Sequence, residues 1–462
     1  MRLIHARTGE IVEFPNEEVK YIPEYAILSH TWEAGEVSYQ DYQDWQDQKI
    51  RAFKKGFLKI RSTREQAVKD KIDWVWIDTC CINKWNSTEL SEAINSMFRW
   101  YRNAKKCYAY LFDVQREETL SIPLTFEKSK WFTRGWTLQE LLAPNDVVFF
   151  SSDWTELGSR RSLSRAISKI TGISEIILDG YRSLSSVSVA QKMSWASDRV
   201  TTKPEDIAYC LLGTFGISMP LLYGEGDRAF LRLQEEIIKV SPDQSILAWE
   251  RLPSWCWWFD KGGERLVDYE MEQQSYSSRN EIRYPFTRLK SMSVDSTALL
   301  LPPPAPDDRT ILAPDPVNFF RSHDVETTDA GRLMPFSMTN IGLSIRLHLI
   351  PIQGDRSRFF AALQCTSGAL DSHQLYIPVI RTTAGSWVRS REPKRPALTV
   401  SANKTCAVPP TRMLFVTGDD DDEHDEFLIY GGLSPGEWLA PFSYAFWLSL
   451  PCGDDGWKLF RR

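Results

Sequence analysis

What this sequence lacks narrows it first. No two cysteines stand at CxxC spacing: the eight are dispersed, and Cys80 and Cys81 are adjacent, which suits neither a zinc site nor an ordinary disulfide. They read as reduced core thiols of a cytosolic protein, and no metal site is expected. No basic cluster appears. With a net charge of −6 and a pI near 5.7, a nucleic-acid partner is not expected, because phosphate neutralisation needs grouped Lys and Arg. No apolar run is long enough to span a bilayer, and the N-terminus has no signal-peptide core; the expectation is a soluble, cytoplasmic protein without a membrane span. No Gly-Lys-Ser/Thr follows a glycine-rich loop. Tyr223 to Ile238 (YGEGDRAFLRLQEEII) carries Glu225 and Asp227 where a phosphate cradle would not want them, and reads as a tight helix start. The acidic run 419–426 has His424 where a calcium-binding loop wants glycine, so it reads as a solvated loop.

What is present points to two domains, since 462 residues exceed the size of a single ordinary core. Apolar and charged fractions of 42% and 25% are those of a globular protein. Tryptophan is in excess: 18 residues supply large buried areas and ring faces on which a planar ligand can stack.

In chain order, MRLIHARTGEIVEF alternates around Thr8 and Gly9 as a hairpin does. Tyr25 to Ser29 is a short buried strand running into His30, Thr31 and Trp32. Phe53, Phe57, Ile60, Ala67 and Val68 recur at helical spacing, followed by a strand at Trp74 to Ile77 that ends at Asp78. Asn86 and Glu89 form a capping pair for a helix on Leu90, Ile94, Met97, Phe98 and Tyr101. A third strand covers Cys107 to Phe112. Ser129 to Phe150 (SKWFTRGWTLQELLAPNDVVFF) then holds a short amphipathic helix ending near Ala143 before Pro144, and a strand at Val147 to Phe150 apolar enough to be covered on both faces.

Alternating strands and helices predict an α/β fold: a parallel sheet with flanking helices and a ligand-binding rim at the strand ends. Ser29, His30, Trp32, Asp78 and the first turns of the Glu140 helix should face that rim. Met193 to Phe215, with Pro204 at a helix start and Gly213 as its stop, and the helix from Tyr223 close this domain, 1–245. Residues 246–462 carry short β-like runs separated by Pro and Gly, which predict a mainly antiparallel β domain. Its aromatic core is expected around Trp255, Trp257 and Trp258. Taken alone, Glu140 reads as a solvated helix glutamate, His30 as rim packing and Asp78 as a strand-end acceptor.

YAILSHTW at 25–32, WVWIDTCCIN at 74–83, SKWFTRGWTLQELLAP at 129–144, MSWASDRVTTKPEDIAYCLLGTF at 193–215 and MPLLYGEGDRAFLRLQEEI at 219–237 together resemble the fungal heterokaryon-incompatibility (HET) domain. That family is more remotely similar to Toll/interleukin-1 receptor (TIR) domains, which share a flavodoxin-like parallel sheet. The TIR pattern sets a Trp four residues before a Glu and an aliphatic residue; Trp136, Glu140 and Leu141 fit it. The resemblance implies self/non-self recognition and regulated cell death in a fungal, innate-immunity-like setting. It also implies a catalytic role for Glu140 in cleaving NAD at the nicotinamide–ribose bond, with NAD as substrate and no cofactor. Ser29, His30, Trp32, Asp78 and Trp136 are the candidate substrate-binding residues. The alternative is a non-enzymatic death-signalling module that acts by self-association or with a signalling partner.

Overall fold

The computed structural model describes residues 1–15, 21–45, 55–116, 122–249, 311–328, 335–339, 342–352, 355–367, 373–381 and 387–389. It also places short strands at 258–259, 265–266, 400–401, 412–416, 447–449 and 458–460. The expected aromatic core around Trp255 and Trp257, the side chain of Trp258, and the acidic run 419–426 lie outside the described residues. Two compact units form, the first from Met1–Leu184 with Arg199–Ala229, the second from Ser185–Asp198 with the described residues after Ala229. The change of texture at about 245 lies within the second unit. Among the described residues no helix is long and apolar enough to cross a membrane.

In the first unit the hairpin β1 (Arg2–His5) and β2 (Ile11–Glu13) leads to β3 (Tyr25–His30), whose six residues are all buried. The helices α1 (Tyr39–Trp45) and α2 (Gly56–Lys69) precede β4 (Trp74–Trp76). Next come the single turn α3 (Asp78–Cys81), the long α4 (Ser87–Asn103) and β5 (Lys106–Tyr110). The short α5 (Thr137–Leu142), β6 (Val147–Phe150) and β7 (Glu156–Ser159) complete the sheet. It is followed by α6 (Ser164–Thr171) and α7 (Glu175–Leu178).

The strand order is β2-β1-β4-β3-β5-β6-β7. The expectation of a wholly parallel sheet needs correction. β4, β3, β5 and β6 run parallel, but β1 pairs antiparallel with β4 and β7 antiparallel with β6, so the sheet is mixed. The tight return from β6 allows β7 to pair only antiparallel, because parallel pairing needs a long crossover; the direction of β1 against β4 is not set by any short connection. Within the parallel core the order is second, first, third, fourth, so the direction of strand addition reverses between β3 and β5. Such a reversal is where α/β sheets commonly bind ligands, outside the C-terminal strand ends. β3 flanks it, in register Ser29 to Ala109 and His30 to Tyr110.

Local chemistry accounts for the helix ends. Asn86 Oδ1 accepts from the Thr88 and Glu89 amides at 3.1 and 3.2 Å, capping α4. Glu89 does not complete a capping box; its carboxylate takes the Asn83 amide at 2.8 Å and the Arg2 guanidinium, tying the helix start to the hairpin. The segment after Pro204 forms two single turns, α9 (Asp206–Tyr209) and α10 (Leu212–Phe215), rather than one helix. Gly213 is not its stop. The left-handed residue that ends α10 is Gly216, at φ +68°, while Gly213 lies inside the turn with the Phe98 ring of α4 against it.

In the second unit α8 (Val189–Ser194) and most of α11 (Arg228–Val240) accompany an antiparallel sheet. A two-stranded ladder pairs β8 (Trp258–Phe259) with β9 (Arg265–Leu266). The main sheet is built on β12 (Gly342–Ile352), β13 (Asp355–Ser367) and β14 (His373–Arg381). Around them pair β10 (Glu326–Thr327), β11 (Ser337–Thr339), β15 (Trp387–Arg389), β16 (Val400–Ser401), β17 (Arg412–Val416), β18 (Trp447–Ser449) and β19 (Lys458–Phe460). Every pairing is antiparallel except β16 with β18. Along β13, Phe359, Ala361, Leu363 and Cys365 are buried while their neighbours are half-exposed, the period-two pattern of a sheet covered on one face. Two of the buried polar side chains in this unit show how they are held. Gln234 exchanges hydrogen bonds with the Ala313 backbone at 2.7 and 3.0 Å, and the Arg389 guanidinium lies 3.7 Å over the Trp249 ring.

Replacement of Gly213 by alanine would place a Cβ 2.0 Å from Phe98 Cβ. We expect Gly213→Ala to destabilise the protein by about 1–3 kcal/mol through overpacking. The Phe98→Ala/Gly213→Ala double variant should lose less than the sum of the two singles. Thermal unfolding of the four proteins reads the coupling, and additive losses would show that the contact does not govern this packing.

Candidate functional site

The site begins where β3 ends. After β5, the Asp113 carboxylate accepts from Ser129 Oγ at 2.6 Å and from the Lys130 amide at 2.7 Å, pinning the start of a 3-10 turn at Lys130–Thr133. That turn carries Trp131, whose indole Nε1 donates to Ser29 Oγ at 2.8 Å. Ser29 Oγ in turn donates to Glu140 Oε2. An indole N–H can only donate, so the serine proton is committed to the glutamate and the three groups form a directed chain.

Glu140 is 5% exposed, so it is not a solvated helix glutamate. α5 is not amphipathic either: Thr137, Leu138, Gln139, Glu140 and Leu141 are all buried. Two buried arginines hold it. At its first turn Arg199 Nη1 donates to Thr137 Oγ1 at 3.0 Å and to the Arg134 carbonyl at 2.8 Å. At its other end Arg160 Nη1 donates to the Leu141 and Pro144 carbonyls at 2.6 and 2.9 Å, groups that a helix C-terminus leaves unpaired. Burial pushes the Glu140 carboxyl up to about 8, although the Ser29 hydrogen bond opposes the rise. The charge of Asp78 adds to it; Tyr101 and Arg199 work against it. At neutral pH the carboxyl is mostly protonated.

A second polar group lies just beyond, around His30. Its side chain is 1% exposed, with Nε2 3.6 Å from Glu36 Oε2 and Nδ1 3.8 Å from Asp78 Oδ1. Both ring nitrogens are buried without a hydrogen bond. Lys59 reaches across from α2 to Glu36 and to the Thr31 carbonyl at 3.1 Å. Burial alone would raise the Glu36 carboxyl; His30 and Lys59 outweigh it and bring the value down to about 2. Asp78 opens α3 and accepts the Trp32 indole proton at 2.7 Å. Trp32 itself is 53% exposed, with the Lys84 ammonium 3.3 Å from its ring centroid.

The structure therefore brings Ser29 directly to Glu140, and His30 and Trp32 to Asp78. Trp136 stands apart. Its indole donates to Asp206 at 3.3 Å, and the same carboxylate accepts from the Tyr223 hydroxyl at 2.9 Å. In the glycine loop the Gly224 and Gly226 amides bind Glu205 Oε1 at 2.7 and 3.1 Å. The chain's own carboxylate thus fills the place a phosphate would need. Sequence reasoning missed Trp131, Tyr101, Glu36, Lys59, Lys84, Arg160 and Arg199. Trp131 and Arg199 do lie in the motif stretches quoted above, but Arg160, Glu36 and Lys59 carried no local signal. Among the described residues no group of three or more His, Cys, Asp or Glu is placed to hold a metal ion.

Residues 25–125 match the family described as heterokaryon incompatibility protein (HET), and residues 228–381 match a domain of unknown function, DUF8212. Ser29, His30, Trp32 and Asp78 fall within the first match; Trp136 and Glu140 lie beyond its end. Vegetative incompatibility protein HET-E-1 of Podospora anserina is 51% identical over 258 residues. The similarity covers 54% of this chain and 18% of that protein's length. No solved structure matches the chain.

Burial of Glu140 makes stability depend on pH with a definite sign. Its value is 4.5 in the ordinary state and about 8 in the fold, so the folded protein holds the proton more tightly. Its contribution is fully present below the unfolded value and is lost as pH rises through that window, flattening above it. Glu140→Gln removes the titration. We expect the variant to show a flatter stability–pH curve and, at pH above about 8, to be at least as stable as wild type in urea unfolding. Parallel curves would rule out a buried, mostly protonated Glu140.

Proposed function

We propose that this chain is a heterokaryon-incompatibility-type protein of self/non-self recognition and regulated cell death, and that its first unit cleaves NAD at the nicotinamide–ribose bond. The observation that carries the catalytic part is the Ser29–Glu140 hydrogen bond at the end of β3. It ties a carboxyl of raised proton affinity to the end of β3, the strand at which strand order reverses, and α/β sheets bind ligands at such reversals. In the reaction the bond between ribose C1′ and the nicotinamide nitrogen breaks, the ring leaves neutral with the bonding electrons, and water adds to C1′. An oxocarbenium-like state develops on the way, and a nearby carboxylate stabilises it. Glu140 would serve that role once ionised, a state that its burial in the resting unit opposes and that the cationic ring of the substrate would favour, with Ser29 fixing its orientation. The Trp32 ring and the Asp78 carboxylate lie on the same rim.

A second reading is favoured by the burial of Glu140 itself. A carboxyl 5% exposed and mostly protonated suits a structural hydrogen-bond donor and acceptor in a module that signals death by assembling with copies of itself or with partners. Under the enzymatic reading the same burial means that the resting unit must open, or be completed by a neighbouring copy, before substrate reaches the acid.

The test follows nicotinamide release from NAD by the purified protein, alone and artificially clustered, beside Glu140→Gln. Gln keeps the size and much of the hydrogen bonding but cannot ionise, so the enzymatic reading expects turnover by the clustered wild type and a loss of roughly a hundredfold or more in the variant. A clustered wild type that releases no nicotinamide, or a variant as active as wild type, leaves the assembly reading in its place.

A further inference from the structure

Trp32 differs from the other aromatic residues of the rim in being both oriented and open. Its indole edge is fixed by the 2.7 Å hydrogen bond to Asp78, while the side chain stays 53% exposed. Donation to a carboxylate makes the ring more electron-rich, and an indole face is already the strongest attractor of cations among the side chains. The chain uses that attraction internally. Lys84, from the loop after α3, sets its ammonium 3.3 Å from the ring centroid. The fit is a poor one for an ammonium: Lys84 is half-buried, and burial pulls its proton affinity below the ordinary lysine range, with Asp78 opposing the fall. A primary ammonium is compact and strongly hydrated, so desolvation against a ring is expensive for it. A planar cation that spreads its charge over a ring loses less hydration and covers the indole face more fully.

The geometry points to the Trp32 face as a binding site for a cationic nitrogen heterocycle of the N-alkylpyridinium type, with Lys84 as the resident occupant that such a ligand displaces. In NAD the nicotinamide ring is such a pyridinium, so this deepens the reading above and rests on it for the identity of the natural ligand. Displacement also gives discrimination between substrate and product. Once the bond to ribose breaks, the ring is neutral, its attraction to the indole falls, and Lys84 can return. Asp78 contributes through Trp32, and its negative charge on the same rim favours the cation further.

Two probes separate charge from shape: 1-methylnicotinamide, which is a pyridinium, and nicotinamide, which is neutral. Binding to the full chain is measured by calorimetry for wild type, Lys84→Met, Trp32→Leu and the double variant. Met keeps the length of the lysine stem without its charge. We expect Lys84→Met to bind 1-methylnicotinamide about tenfold more tightly than wild type, nicotinamide to change less than about twofold, and Trp32→Leu to abolish the gain. Trp32 and Lys84 are not core residues, and circular dichroism checks that each variant folds. Equal binding of the pyridinium by wild type and Lys84→Met, or a gain that survives Trp32→Leu, overturns the proposal. The readout needs no turnover: pyridinium binding without nicotinamide release from NAD would refute the catalytic reading alone, and release without Lys84-dependent binding would refute this one alone.

Discussion

A carboxyl placed where water cannot reach it must find donors, lose its charge, or destabilise the fold. Glu140 does the first two, and much of the first unit is arranged around that need. Ser29 donates to it while accepting from the Trp131 indole, which fixes the orientation of the hydroxyl. Trp131 is in turn placed by the Asp113 clamp on Ser129 and Lys130. The six-residue α5 is too short to be stable by itself. Arg199 and Arg160 bind it at either end, so the orientation of Glu140 is set by residues well away in sequence.

Around the end of β3 two glutamates are driven in opposite directions. Glu140 is surrounded by neutral donors, with a negative charge at Asp78, and burial carries it up to about 8. Glu36 is also penalised by burial, yet His30 and Lys59 bring it down to about 2. Burial favours the protonated form of one carboxyl, and neighbouring cations favour the ionised form of the other, so the environments push the two apart. The two groups meet at Asp78, which faces His30, accepts the Trp32 indole and bears electrostatically on Glu140. A change at Asp78 is therefore felt by both.

The second unit follows a different logic. Its strand β13 alternates in burial, and several of its polar contacts run from side chain to backbone: Gln234 to Ala313, Arg389 to Leu247, and Asp243 to the Val189 amide that opens α8. Each satisfies a backbone group that a loop would otherwise leave bare. These contacts bind short segments to one another and, through Arg389, to β15; they do not gather reactive side chains as the rim of the first unit does.

Local pattern by itself determined the parts whose physics is local. The buried run of β3, the Asn86 cap, the end of α5 before Pro144, the apolar stripe of α11 and the alternating strands of the second half all depend on neighbours within a turn or two. The parallel pairing of the central strands also followed from alternating strands and helices, but the strand order and the antiparallel edges did not, since both are set by pairing between distant segments. Tertiary structure alone decided the rest. Glu140 looked like a surface residue because its partners, Ser29 and Arg199, lie 111 residues before it and far beyond it in the chain. Trp136 fits a local motif, but its hydrogen bond to Asp206, 70 residues on, has no local signature. Gly213 looked like a helix stop, and only the packing of Phe98 shows why a side chain is excluded there. In each case the identity of the residue is set by a contact between distant segments, and the free energy of such a contact leaves no periodicity in the sequence around it.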